Sequence, residues 1–112
     1  MARLTSAILV NALVRQAGRR GGSAMVLAHG DDTAGAILFV TLEKGRNPKL
    51  YEIGTGPDGT PALLPAGPRD LTDEREATAY WQRRRERDFD LWVLELDIAA
   101  AERFIAETIS LH

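Results

Sequence analysis

Seven consecutive residues, Ala36 to Leu42, read Ala-Ile-Leu-Phe-Val-Thr-Leu and are apolar at both alternations of an extended chain. A strand of that composition has no face to give to water, so it must be buried on both sides. A chain of 112 residues can enclose one hydrophobic core and is expected to form a single α+β domain over 1–112. The partners for the two faces of this strand must therefore be helices of the same chain, or another molecule.

The flanking sequence supplies helices and further strands. Thr5 or Ser6 can cap a first helix over residues 6–18. Its apolar positions Val10, Leu13, Val14 and Ala17 recur at helical spacing, and Gly18, Gly21 and Gly22 end it. Ala24 to His29 reads as a strand and Gly35 to Glu43 as a second, joined by the turn-rich Gly30-Asp31-Asp32-Thr33-Ala34. Lys44 to Pro48 forms the next turn, and Lys49 to Thr55 a third strand. Thr60 to Leu64 is a short fourth strand, confined to a sheet edge because Pro61 and Pro65 each lack a ladder donor. Thr72 caps a second helix over residues 73–87, with acidic residues at its start and arginines at its end, as the helix dipole favours. Phe89 to Leu96 is the fifth strand and Ala99 to Ile109 a last helix. The expected order is α-β-β-β-β-α-β-α, an antiparallel sheet of four to five strands with two or three helices. The first four strands form a meander, and the fifth joins beside the first or second. Leu13, Ile37, Leu38 or Phe39, Trp92, and Val93 or Leu94 should form the core.

Composition narrows the chemistry. There is no cysteine, which removes disulfides and thiolate metal sites and favours a cytoplasmic protein. The net charge of −2 argues against a nucleic-acid binder, and the longest N-terminal apolar run is too short to cross a bilayer, so no membrane role is expected. Twelve arginines against two lysines are spread along the chain, as codon bias would spread them.

Four local patterns carry chemistry on paper. Gly54-Thr55-Gly56-Pro57-Asp58-Gly59 spells the dinucleotide-binding pattern, yet Pro57 lacks an amide and the segment leads into a strand instead of a helix, so a hairpin turn is the reading. His29 with Asp31 and Asp32 offers metal-ligand types, but no second histidine lies nearby, and turn aspartates bond their own backbone. Asp88 and Asp90, spaced by two, could serve acid/base or metal-dependent hydrolysis together with Arg85. The alternative is that they end a helix and begin a strand, with Arg84 or Arg85 pairing to one of them. Arg83, Arg85 and Arg87 beside Trp81 and Phe89 could bind single-stranded nucleic acid, but Glu86, Asp88 and Asp90 offset the charge and a helix spreads the run around its circumference.

Arg3-Leu4, Val10, Ala12-Leu13, Arg15, Gly30-Asp31, Ala34-Gly35, Tyr80, Arg83 and the run Asp88-Phe89-Asp90-Leu91-Trp92-Val93-Leu94-Glu95 together resemble the bacterial domain-of-unknown-function family number 1491. Asp-x-Asp-Leu-Trp-Val-x-Glu is the most specific piece, with Phe89 where the family pattern has proline. The resemblance implies a stand-alone cytoplasmic domain and brings no activity, cofactor or catalytic residue with it.

No catalytic residue, cofactor or metal site is thus indicated. The expected function is a non-enzymatic binding or regulatory module, acting on an unknown protein or small ligand through Arg83, Arg85, Asp88 and Asp90. A homodimer is one way to cover the unprotected sheet edge and the two apolar faces of the second strand.

Overall fold

The computed structural model describes residues 4–111. The elements are α1 (Ser6–Arg19), β1 (Ser23–Ala28), β2 (Ile37–Glu43), β3 (Arg46–Thr55), β4 (Pro61–Pro65), α2 (Glu74–Arg87), β5 (Trp92–Asp97) and α3 (Ala101–Ser110). They build one mixed, mostly antiparallel sheet in the order β1-β5-β2-β3-β4.

Every residue from Ile37 to Leu42 is buried, as the apolar run requires. Ile37 and Phe39 enter a cluster with Trp92, Leu94 and Leu96 of β5, Val10, Leu13 and Ala17 of α1, and Phe104, Ile105 and Ile109 of α3. Leu38 and Val40 point the other way, into a cluster with Leu91, Val93, Leu50 and Ala77, closed by Tyr80 and Trp81 of α2. Helices α1 and α3 therefore cover one face and α2 the other. The chain's own helices satisfy both faces of β2, so that strand gives no reason for a partner.

The sheet departs from a meander at one place. β5 lies between β1 and β2, antiparallel to the first and parallel to the second. Residues 30–34 are consequently not a hairpin turn but a loop spanning the width of an inserted strand. The reason is burial: Leu91 to Leu94 are all solvent-shielded, and only a position with neighbours on both sides gives such a strand two ladders.

Local chemistry sets the boundaries. Thr5 caps α1, its hydroxyl accepting from Ile8 N. The cap of α2 is Asp73 and not Thr72: the Asp73 carboxylate accepts from Glu76 N, while Glu76 reaches back to accept from the Thr72 amide and hydroxyl. This reciprocal arrangement satisfies two otherwise free donors. The β2–β3 turn is shorter than expected. Lys44 and Gly45 both take positive φ, the signature of a two-residue hairpin turn, so β3 starts already at Arg46. From the end of β5, Asp97 accepts from Lys44 N (2.9 Å) and Gly45 N (2.8 Å), tying that turn to the sheet's centre. Gly56–Thr60 is a turn held by the Asp58 carboxylate, with Gly59 at φ 83°, which leaves no helix start for a dinucleotide. Among the described residues no helix is long and apolar enough to cross a membrane.

Tyr51 and Glu95 carry the two informative shifts within the sheet. Burial, followed by the hydrogen bond from its hydroxyl to Glu102 (3.0 Å), pushes the Tyr51 phenol up to about 12. Burial first, and then the charges of Glu74 and Asp97, raise the Glu95 carboxyl. Both groups prefer the protonated form when folded, so each favours folding at pH below its unfolded pKa and loses that contribution as pH rises through the folded value. For Tyr51 the loss falls between pH ~10 and about 12. Absorbance titration should show a late tyrosine step that Tyr51→Phe removes. Glu95→Gln should raise the melting temperature at pH 7, with the gain fading in acid.

Candidate interaction surface at the α2–β5 corner

The residues singled out by sequence come together where α2 gives way to β5. α2 ends at Arg87, and Asp88, its C-cap, sends its amide back to Arg84 O. Asp88 Oδ1 accepts from Asp90 N (3.1 Å) and Asp88 O from Leu91 N (3.3 Å), closing a tight turn over residues 88–91. The strand therefore begins at Trp92 and not at Phe89, and Asp88 and Asp90 occupy a turn instead of an extended face. An aspartate at the first turn position does locally what proline would do by restricting φ, so the turn forms with Phe89 inside it.

The 29–36 loop locks onto this turn. Asp90 O accepts from Asp31 N (3.0 Å), Ala36 O accepts from Trp92 N (2.8 Å), and Asp31 O accepts from the indole Nε1 of Trp92 (2.7 Å). A methyl group on Gly30 would stand 2.2 Å from Asp90 O, and one on Gly35 2.1 Å from it. Both glycines are required by close backbone approach. The buried Ser6 hydroxyl donates to Gly35 O (2.6 Å), and Ser6 N and Ala7 N donate to Thr33 O and Asp32 O, so the start of α1 is part of the same knot. The Asp31 carboxylate accepts from Thr33 N and Ala34 N, shaping the loop from within. Outside the knot, the His29 ring lies against Trp92 with centroids 4.0 Å apart, and its Nε2 is 2.8 Å from Asp32 Oδ1.

The arginines divide by task. Arg84 does not reach Asp88. It pairs with Glu52 of β3 (2.5 Å) and with the Tyr80 hydroxyl (3.2 Å), and the Glu52 bond, foremost, holds its guanidinium in the charged form. Arg85 pairs with neither aspartate. Its Nη2 donates to the carbonyls of Phe89 (2.9 Å) and His29 (3.2 Å), stapling turn to loop. Arg85 Nε and Trp81 Nε1 are buried without a partner among the described residues, a desolvation cost carried by this side of α2. Arg83 and Arg87 are exposed. The basic run is thus two structural and two solvent-facing side chains, not one patch.

No three His, Cys, Asp or Glu side chains among the described residues are arranged to hold a metal. The Asp88 carboxylate is engaged by the turn and that of Asp90 faces solvent. Larger depressions lie elsewhere, one of about 450 Å³ between the start of α1 and β2–β4, another of about 850 Å³ beside the β2–β3 turn. What the corner does present is Phe89, 78% exposed on a turn whose backbone is fixed from both sides. Sequence reasoning placed Phe89 at the start of the fifth strand and noted it only as an aromatic beside the arginines, not as an exposed turn residue. The signal that finds it is its place between two turn-forming aspartates.

The family described as "Protein of unknown function (DUF1491)" matches residues 4–106, and the chain belongs to it. A crystal structure of a DUF1491 family protein from Caulobacter crescentus superposes with a TM-score of 0.77 at 31% identity, over 91% of this chain and 94% of that one. An NMR structure of a DUF1491 family protein from the same organism gives 0.74 at 30% identity, over 93% and 94%. The solution structure of a protein from A. tumefaciens gives 0.65 at 31% identity, over 86% of each chain. No curated protein matches.

The lock sets the outcome of three substitutions. Gly35→Ala forces the loop off Asp90 and should cost about 1–3 kcal/mol, as overpacking does. Trp92→Ala should cost about 3–5 kcal/mol. Trp92→Phe, which keeps most of the packing but strands the Asp31 carbonyl, should cost about 1–3 kcal/mol. Urea unfolding of the three variants measures all of these.

Proposed function

We propose that this member of the DUF1491 family is a non-enzymatic binding or regulatory module of the cytoplasm, a single domain over 1–112, that engages a protein partner through the α2–β5 corner. Phe89 is the anchor, with Asp90 next to it in sequence and the exposed Arg83 of the last turns of α2 as the charged rim. The single observation behind this reading is the exposure of Phe89 on an immobilised turn. A phenyl ring held in water forgoes burial worth about 25 cal/mol per Å². A ring carried on a backbone that is already fixed leaves only its own side-chain freedom to be lost on docking, which suits an interface anchor. The cytoplasmic assignment is supported by the cysteine-free sequence.

Arg85 enters this reading as a positioning residue. Its loss frees the carbonyls of His29 and Phe89, so Arg85→Ala lowers stability and binding together and cannot separate the two. Phe89→Ser and Arg83→Ala can. Both side chains are exposed, so each variant should unfold within about 0.5 kcal/mol of the parent. Co-purification from the cell that makes the protein should recover a partner with the parent chain and lose it with Phe89→Ser, with Arg83→Ala weakening it. A partner retained at parental levels by both variants would remove the corner as the docking surface.

A further inference from the structure

The two edges of the sheet are treated differently. β4 carries proline at both its first and last residues, Pro61 and Pro65, and so lacks two of the donors an incoming strand would use. β1 reads Ser-Ala-Met-Val-Leu-Ala, without proline or charge. It pairs only with β5, leaving its outer row of amides and carbonyls unmatched among the described residues. Two of its apolar side chains stand in solvent, Met25 at 59% and Val26 at 40% exposure. A register shift between Val26 and Ala28 bends the strand past that point, so the regular part of the edge is Ser23–Val26.

We propose that this edge pairs with the same edge of a second copy of the chain, antiparallel about a two-fold axis at Met25, so that one sheet runs through both copies. An antiparallel pair related by a two-fold axis normal to the sheet places residues of equal side-chain orientation opposite each other. Met25 then meets the partner's Met25 on the α2 side, and Ala24 meets the partner's Val26 on the α1 side.

Charge selects a second copy over an unrelated strand. The residues before β1 are basic: Arg19 closes α1, and Arg20 follows, its guanidinium over the Phe104 ring at 5.1 Å. The residues after β1 are acidic: Asp31 and Asp32, both exposed. An antiparallel partner brings its acidic end to the basic end of the first chain, and the reverse, so both ends match at once. A parallel arrangement would set like charges together. The self-complementary order of basic flank, neutral strand and acidic flank is what a two-fold interface demands. This pairing is independent of the Phe89 corner, and its test reads mass instead of partner capture.

The parent chain should approach dimer mass by light scattering as concentration rises from micromolar toward millimolar, with association weakened by salt. Met25→Lys sets like charges across the axis and should raise the dimer dissociation constant about tenfold or more, while the monomer does not lose stability because the new ammonium also faces Glu95 across β5. Because the chain has no cysteine, Met25→Cys supplies a single thiol. Under a mild oxidant it should form a covalent dimer far faster than Leu64→Cys on the other edge, since opposed residues in such a pair bring their Cβ atoms within about 4.5–5.5 Å. A parent chain that stays monomeric throughout that range would overturn the proposal. So would a dimer indifferent to Met25→Lys, or equal cross-linking rates for the two thiols.

Discussion

The carbonyl of Asp90 is the point on which the architecture turns. It accepts from Asp31 N just before β5 begins, and the two glycines of the loop crowd it so closely that neither tolerates a side chain. That contact fixes where the 29–36 loop passes over the entry to β5, and with it the spacing between β1 and β2 that β5 must fill. The Trp92 indole, donating to the Asp31 carbonyl, carries the same constraint into the core, where the ring packs with α1 and α3. Asp97 anchors the far end of β5 on the β2–β3 turn. Both ends of β5 are therefore held by polar contacts to the segments flanking β2, while its length is held by apolar burial.

Much of this was legible in the sequence because it is local. The double-faced strand at Ala36–Leu42, the Thr5 cap of α1, the turn at Gly56–Gly59 and the prolines that assign β4 to an edge follow from residue chemistry within a few positions, whereas the α2 cap fell one residue later than expected, on Asp73. The insertion of β5 does not. A hairpin between β1 and β2 is the cheaper local closure, and only the burial of Leu91 to Leu94 on both faces reverses that preference. The Arg84–Glu52 pair escaped for the same reason, since it joins helix to strand across the sheet. At the site, the sequence brought out Asp88, Asp90, Arg83 and Arg85 as a group without distinguishing their work. Asp88 and Arg85 hold the turn; Arg83 and the Asp90 carboxylate face solvent.

The family pattern gains a physical meaning from these contacts. Gly30-Asp31, Ala34-Gly35 and the Asp-x-Asp-Leu-Trp-Val run are the two sides of one lock. Their joint presence describes a way of joining strands, and on its own it specifies no chemistry. The exposed residues around the lock, rather than those inside it, are free to vary without disturbing the fold. Phe89, exposed on the turn, is the plainest instance in this chain.

The order β1-β5-β2 also bears on the chain's synthesis. The strand that fills the gap between β1 and β2 comes after β3, β4 and α2, so all three leave the ribosome before the sheet can close. Until then β1 has no strand beside it, and β2 shows an open edge along its whole length. Closure must wait for contacts far apart in sequence, whose loop entropy slows them. Until β5 is made, both edges of β1 and the facing edge of β2 stay uncovered, so mispairing competes with closure for as long as the intervening elements take to emerge.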